Sequence, residues 1–311
     1  MILLWGLPGD DPFDAVTAAL AARRADFAVV DQREVLQQRL QLEGGDGLET
    51  SVWSGDRRFA LSEVRAFYAR VYDSLRLKKV ASATQEVRAG VQRFENGFWA
   101  WADQADARIV NRPSAMASNG SKPYQTALIE RLGFHVPETL ITTDPRAAAE
   151  FWERHGQVVY KSVSSVRSIV CRLTEAHRAR LEDVTWCPTQ FQAYVPGRDH
   201  RVHVVGDEVF PVEVVSDADD YRYASAQGAS CELFATALPI EVADRARAVA
   251  KALDLPVCGI DLRRTPDDRW YCFEANPSPC FTYYERQTGQ PIAAALAAWL
   301  DDGAREGALR G

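Results

Sequence analysis

The chain has 311 residues, 47% of them hydrophobic, and its 36 Lys and Arg against 43 Asp and Glu residues give a net charge of −7. The length predicts two or three packed units, and the acidic balance argues against nucleic acid as a partner. No apolar run approaches the roughly 20 residues that cross a bilayer, and the first residues lack the basic segment of a signal peptide. We therefore expect a cytoplasmic protein with no membrane partner.

Apolar runs and helical spacings alternate along the first 112 residues. The predicted elements are, in order, a strand at 2–5, a helix from 11 to about 25, a strand at 27–30, a hairpin at 52–61, a helix from 84 to 103 and a strand at 109–111. Strand, helix and strand in succession are typical of a doubly wound sheet, so this part predicts a Rossmann-like domain.

The remaining residues predict a mixture of helices and antiparallel strands. The predicted elements are a helix from 119 to about 132, a strand at 140–142, a helix from 145 to 155, strands at 157–161, 169–173, 190–195, 200–205 and 208–215, a helix from 240 to 253, a strand pair at 257–263 and 270–276, and a closing helix from 291 to 300. The serine-rich segment 162–168 joins two of these strands and predicts a hairpin lid.

The strand pair near the end of the chain carries the most informative residues. Its turn contains Asp267 and Asp268, and with these two at the centre of the turn Asp261 lies directly opposite Glu274. The side-chain period of two places Asn276 on the same face as Glu274. The opposite face then carries Ile260, Leu262, Phe273 and Ala275. Like charges opposed on one sheet face are destabilising, so we expect a cation between the two carboxylates.

Two carboxylates and an amide oxygen, without histidine or thiolate, form an all-oxygen set. Such a set suits Mg²⁺ or Mn²⁺ that holds phosphates better than it suits Zn²⁺. The alternative is a solvated hairpin whose acidic side chains face water. The sequence pattern of the hairpin is compatible with both interpretations.

The order of motifs over about residues 110–300 resembles the ATP-grasp superfamily of ATP-dependent carboxylate ligases. Within it, the chain is most similar to ribosomal protein glutamate ligases and to peptide-modifying, graspetide-type ligases. The motif that carries the resemblance is Gly259-Ile260-Asp261 followed by Phe273-Glu274-Ala275-Asn276-Pro277. The resemblance implies that Asp261, Glu274 and Asn276 coordinate the metal ions that bridge the phosphates of ATP.

The same resemblance assigns nucleotide contacts to further residues. Lys122 and Lys161 match the two family lysines that reach the phosphates of ATP. A lysine that closes a buried strand needs an anion, which supports Lys161 independently, whereas a lysine that snorkels to solvent is an alternative for Lys122. The linker strand whose backbone contacts adenine is matched by Gln192, Ala193 and Tyr194, and the ribose contact by Asp199.

Two arginines and two serines complete the implied site. Arg201 lies on the same strand face as the ribose contact, and the resemblance places it near the phosphates or the substrate. Arg222 matches a further basic position at the ATP site, although an exposed loop arginine is an equal alternative. Relatives have glycines in the lid, where this chain has none, so we expect Ser164 and Ser165 to donate to the phosphates instead.

The resemblance implies an α/β (α+β) fold and an activity. A Rossmann-like pre-ATP-grasp domain at 1–112 precedes an ATP-grasp fold whose subdomains, at 113–192 with the lid and at 193–311, grip ATP. The implied enzyme uses ATP and Mg²⁺ or Mn²⁺ to join a carboxylate to an amine through an acyl phosphate, with a peptide or amino acid as substrate. A homodimer is compatible with this interpretation. The alternative is a nucleotide-binding protein of the same fold without ligase turnover.

The aromatic segment 280–286 and the N-terminal domain are expected to shape the acceptor pocket. Phe281, Tyr283 and Tyr284 follow the metal motif directly. Their rings are able to stack on a substrate, but a packed turn is the alternative.

Overall fold

The computed structural model describes residues 1–42, 50–163, 170–216 and 230–310, with side chains described as far as residue 302. Its strands are β1 (Ile2–Gly6), β2 (Phe27–Asp31), β3 (Gln38–Gln41), β4 (Ser51–Ser54), β5 (Arg57–Ala60), β6 (Ala66–Arg70), β7 (Arg108–Val110), β8 (Thr139–Thr142), β9 (Val158–Ser162), β10 (Cys171–Arg172), β11 (Thr189–Ala193), β12 (Arg198–Val205), β13 (Glu208–Ser216), β14 (Cys231–Ala235), β15 (Val257–Arg264) and β16 (Trp270–Asn276).

Its helices are α1 (Asp11–Ala22), α2 (Lys78–Ala81), α3 (Gln85–Gln104), α4 (Pro113–Met116), α5 (Lys122–Arg131), α6 (Pro145–His155), α7 (Glu175–Arg178), α8 (Ile240–Ala252), α9 (Thr282–Thr288) and α10 (Ile292–Arg310). Most of the predicted elements are confirmed within a few residues. Strands β3, β6 and β14, helix α9 and the short helices α2, α4 and α7 were not predicted, and the closing helix α10 runs ten residues beyond its predicted end at 300.

The N-terminal part contains a four-stranded parallel sheet in the order β2-β1-β6-β7. Alternate residues of β1 lie on opposite faces, so that Ile2 belongs to the core formed with α1 and α10, and Trp5 to the core formed with α3. Helices thus cover both faces, as the predicted Rossmann-like domain requires. The predicted hairpin at 52–61 is confirmed as β4 and β5, which form a separate antiparallel sheet with β3.

Two antiparallel sheets follow. The first has the order β10-β9-β11-β8, and α6 covers it with Phe151 and Trp152. The second has the order β14-β13-β12-β15-β16, and one of its faces packs on α5 and α8 through residues such as Ile260 and Leu262. The other face packs on α10 through Val205, Phe210 and Val257 at one end of the sheet, and is available for polar side chains toward the other end.

Helix α5 lies within the predicted central subdomain, but its Ile129 is part of the core of the second antiparallel sheet. The N-terminus of α5 is thereby held beside β16. The boundaries at 113 and 193 stay predictions. Among the described residues, no helix combines the length and the apolarity that spanning a membrane would require.

Candidate active site

The hairpin of β15 and β16 pairs Asp261 directly with Glu274, as predicted. The predicted turn is wrong, because Arg264 pairs with Trp270 and the turn is centred on Asp267 alone; a β-bulge between the turn and this pair restores the predicted pairing. Leu262 pairs with Cys272, so Phe273 is the additional residue in β16. Cys272 accordingly takes the core position, and the prediction that Phe273 lies on the core face is wrong. The ring centroid of Phe273 instead lies 5.3 Å from Cζ of the Arg263 guanidinium.

A row of charged side chains crosses the polar face of the second antiparallel sheet. Arg201 of β12 pairs in register with Asp261, and its Nη1 donates to Asp261 Oδ1 at 2.5 Å. At the other end of the row, Lys122 Nζ donates to Glu274 Oε2 at 2.7 Å. A cation at each end of the row offsets the expected repulsion between the two carboxylates at its centre.

A third cation reaches the row from the first antiparallel sheet. Lys161 is the fourth residue of β9, and its Nζ lies 3.9 Å from Glu274 Oε2. Lys122, Lys161 and Arg201 are only 9%, 7% and 6% exposed. A lysine that snorkels to solvent is therefore excluded for Lys122, because its side chain is buried against a carboxylate.

The three buried cations and the two half-buried carboxylates together carry three positive charges and two negative charges. Burying an excess cation is costly unless an anion joins it. The balance of these five residues therefore favours a negatively charged group between the two antiparallel sheets. A phosphate chain has this chemistry.

The predicted metal set fits Mg²⁺ by the nature of its donors. Asp261 and Glu274 provide carboxylate oxygens, and Asn276, two residues along β16 from Glu274, provides an amide oxygen. Within the described part of the chain, no group of three or more His, Cys, Asp or Glu residues is placed to hold a metal. The set of two carboxylates and one amide does not need such a group, and its role as a metal site stays a prediction.

Two residues that the sequence analysis missed fix the segment after Asn276. The Asn111 side chain is buried, donates to the carbonyls of Val257 and Pro277, and accepts from the Val257 N–H at 3.3 Å. Arg70 donates to Ser278 Oγ at 3.1 Å. Residues of β6 and of the segment after β7 thus hold both the start of β15 and the segment after β16. A polar residue at the end of an apolar strand was the available signal for Asn111.

The predicted adenine linker lies at the end of β11. Its N–H groups at Ala193 and Tyr194 donate at 2.9 Å to the carbonyls of Glu138 and Gln157. The Gln192 side chain donates to Thr139 Oγ1 at 3.0 Å. These groups are engaged within the protein, so an adenine contact through the N–H of Ala193 or Tyr194 is excluded in this conformation. The assignment of the linker stays a prediction.

Asp199, the predicted ribose contact, forms a two-pronged pair with Arg263. Arg263 Nε and Nη2 donate to the two Asp199 oxygens at 2.7 and 2.8 Å. Arg263 Nη1 also donates to the carbonyl of Val195, directly after the linker. The sequence analysis missed Arg263, although the period of two places it on the same strand face as Asp261.

The remaining predicted residues divide into described and undescribed ones. Phe281 and Tyr284 are buried, which favours the packed turn for these two rings, whereas Tyr283 is exposed. Ser164, Ser165 and Arg222 lie outside the described residues, and their predicted roles stay predictions.

The comparison with known families decides the assignment of the fold. The sequence model of the RimK-like ATP-grasp domain family matches residues 119–300, which is more than half of the chain. The chain belongs to the RimK-like ATP-grasp family. No curated protein sequence matches it significantly.

Solved structures of ATP-grasp ligases are similar over nearly the whole chain. The macrocyclase MdnC from Microcystis aeruginosa MRC, bound with the precursor peptide MdnA, is 21% identical with a TM-score of 0.82, and the match covers 96% of this chain and 99% of that one. A RiPP-associated ATP-grasp ligase from Chryseobacterium gregarium, solved with ADP and a leader and core peptide, is 21% identical with a TM-score of 0.84, covering 97% and 96%. The ATP-grasp ligase PsnB, complexed with minimal precursor, Mg and ADP, is 26% identical with a TM-score of 0.82, covering 97% of each chain.

The RimK-like assignment and these structures confirm the predicted resemblance, the α/β ATP-grasp fold and the class of ATP-grasp ligases. The N-terminal parallel sheet is compatible with the predicted Rossmann-like domain.

Proposed function

We propose that the protein is an ATP-dependent carboxylate–amine ligase that acts on a peptide and passes through an acyl phosphate. The observation that carries the proposal is the charged row formed by Arg201, Asp261, Glu274 and Lys122, which Lys161 joins from the first antiparallel sheet. The structural relatives MdnC and PsnB, described with precursor peptides, support a peptide as the substrate. PsnB, described with Mg and ADP, supports ATP and Mg²⁺ as the cofactors.

In this proposal the side chains position and neutralise charge. Lys122 and Lys161 would bind phosphate oxygens, and Asp261, Glu274 and Asn276 would hold Mg²⁺, which would neutralise the charge that develops on the phosphates. A substrate carboxylate oxygen attacks the γ-phosphorus, the bond to the β-phosphate oxygen breaks and ADP leaves. An amine then attacks the acyl carbon, phosphate leaves and the amine proton passes to solvent. Positioning and charge stabilisation supply the rate enhancement.

Hydroxylamine trapping tests this function without knowledge of the amine. The protein is incubated with ATP, Mg²⁺, hydroxylamine and short peptides that contain Asp and Glu, and mass spectrometry detects peptide hydroxamates while ADP is measured in parallel. We expect hydroxamate and ADP in equal amounts, and neither in Glu274→Gln. Mg²⁺-dependent nucleotide binding without hydroxamate or ADP on any peptide would favour the nucleotide-binding protein without turnover.

The cytoplasmic location and the homodimer belong to the proposal as well. Light scattering coupled to size-exclusion chromatography measures the oligomeric state. A mass equal to one chain at micromolar concentration would contradict the homodimer without affecting the ligase proposal.

A further inference from the structure

The imidazole of His203 is a buried polar group beside the charged row. It is 1% exposed, and among the described residues neither of its ring nitrogens has a hydrogen-bond partner. Burial, and then the charge of Arg201, hold the pKa of His203 well below its usual value, so the ring is neutral at pH 7. A neutral imidazole has one nitrogen that accepts a hydrogen bond. An acceptor left without a donor in a protein interior is unfavourable and calls for an explanation.

The side chain of His203 lies beside the guanidinium of Arg201. The two residues share one face of β12, two positions apart. The register partner of His203 is Gly259, and a Cβ on Gly259 would be only 2.1 Å from Arg201 Nη2. Arg201 therefore extends across Gly259 toward His203. Tyr284 closes the other side, with its ring centroid 4.9 Å from that of His203 and 6.0 Å from Arg201 Cζ.

The proposed function gives Asp261 two competing cations. In the structure its Oδ1 accepts from Arg201 Nη1 at 2.5 Å. An oxygen that coordinates Mg²⁺ is a poorer acceptor for a guanidinium, and the two positive charges repel each other. Metal binding to Asp261 therefore releases a buried Arg201 donor, which needs another acceptor.

We propose that His203 is a positioning residue that accepts a hydrogen bond from Arg201 when Asp261 turns to the metal. The inference rests on the proposed function, because it assumes that Asp261 is a metal ligand. His203 contacts neither nucleotide nor substrate in this arrangement. It lowers the energetic cost of metal binding and holds Arg201 near the phosphates.

Substitutions of His203 test the proposal through the Mg²⁺ dependence of nucleotide binding. His203→Phe keeps a ring against Tyr284 but removes the acceptor, whereas His203→Gln retains one. Calorimetric titration of ADP at several Mg²⁺ concentrations gives the Mg²⁺ concentration for half-maximal binding. We expect this value to rise about tenfold in His203→Phe, the equivalent of one hydrogen bond to a charged group. It should recover in His203→Gln, and metal-free ADP affinity should change in neither.

His200→Phe is the matched control. His200 is also a buried histidine of β12, but it lies on the opposite face and its ring meets Trp270 edge to face at 4.8 Å. We expect its Mg²⁺ dependence to equal that of the wild type. An unchanged Mg²⁺ dependence in His203→Phe would overturn the inference and leave the ligase proposal intact. If ADP binding to the wild-type protein is independent of Mg²⁺, both fall.

Nitrogen NMR of the wild-type protein decides the matter even if His203→Phe does not fold. The chain has five histidines, so a [¹⁵N]histidine sample gives few imidazole signals. The signals of His203 are assigned by their absence in His203→Gln. We expect one of them to shift on addition of Mg²⁺ with ADP, and not with ADP and a chelator. Identical His203 signals in the two samples would refute the hand-over of Arg201.

Discussion

Gly259 is the position at which the geometry makes its sharpest prediction. Its φ is not in the left-handed region, so an alanine there meets no backbone strain. The added Cβ would nevertheless lie 2.1 Å from Arg201 Nη2 and 2.5 Å from Arg201 Cζ. An ordinary contact is about 3.5 Å, so the guanidinium must retreat by more than about 1 Å.

This retreat breaks the Arg201–Asp261 pair, whose 2.5 Å hydrogen bond would lengthen beyond the limit of about 3.5 Å. A hydrogen bond to a charged group contributes about 1.5–3 kcal/mol. We expect Gly259→Ala to lower the free energy of unfolding by this amount, measured by urea denaturation without nucleotide. Gly90→Ala is the control, because Gly90 lies inside α3 with its nearest atom 3.9 Å from the added Cβ. It should stabilise the protein by about 0.5–1 kcal/mol.

A double-mutant cycle tests the assigned cause. Arg201→Ala removes both the pair and the guanidinium that crowds Gly259, so Gly259→Ala should cost close to nothing in that background. If Gly259→Ala costs the same in the Arg201→Ala background as in the wild type, the loss does not come from Arg201, and the argument from the close approach is refuted.

Two further predictions concern residues around the site. Asn111→Ala removes three hydrogen bonds from a buried side chain and should lower the free energy of unfolding by about 2–4 kcal/mol in urea denaturation; an unchanged value would refute its role in holding β15 and the segment after β16. Burial lowers the pKa values of His200 and His203, so below about pH 6.5 the unfolded chain binds protons that the folded protein refuses. The free energy of unfolding should therefore fall with decreasing pH, by up to about 1.4 kcal/mol per pH unit for each histidine. Urea denaturation between pH 7 and 5 measures this slope, which His203→Phe should make shallower.

The sequence predicts the site where its residues follow one strand, and fails where they come from separate elements. Asp261 and Glu274 face each other as predicted, but not for the predicted reason: the pairs nearest the turn are shifted by one residue, and the bulge at Phe273 compensates for that shift. The bulge at Phe273 is a local irregularity that cannot be predicted by counting residues from the turn. The side of β16 on which Phe273 lies was accordingly predicted wrongly.

Contacts between residues far apart in the chain could be predicted only from the resemblance to a known family, and not from local sequence patterns. Nothing in the spacing of Lys122 indicates that it meets Glu274, 152 residues away, because that contact depends on how α5 packs on the second antiparallel sheet. Asn111 is a similar case, since its hydrogen bonds reach β15 and the segment after β16. Tertiary packing, rather than local pattern, decides these placements.

The substitution Glu274→Gln has two opposing effects on the stability of the protein, and the structure indicates which of them is larger. The repulsion between Asp261 and Glu274 would by itself make this variant more stable. Glu274 Oε2, however, lies 2.7 Å from Lys122 Nζ and 3.9 Å from Lys161 Nζ. A neutral amide would leave both buried lysines without this carboxylate.

We therefore expect Glu274→Gln to be less stable than the wild type without metal. Breaking a buried pair costs about 3–5 kcal/mol, but the amide oxygen still accepts from Lys122 and the repulsion from Asp261 is relieved, so a loss of about 2 kcal/mol remains. Urea denaturation in a chelator measures it, with Glu208→Gln as a control because Glu208 is exposed and should stay within about 0.5 kcal/mol of the wild type. If Glu274→Gln is as stable as the wild type or more so, the two carboxylates repel more strongly than the lysines attract. The repulsion between the two carboxylates would then remain in the absence of ligand, and metal binding would have to supply the free energy that offsets it.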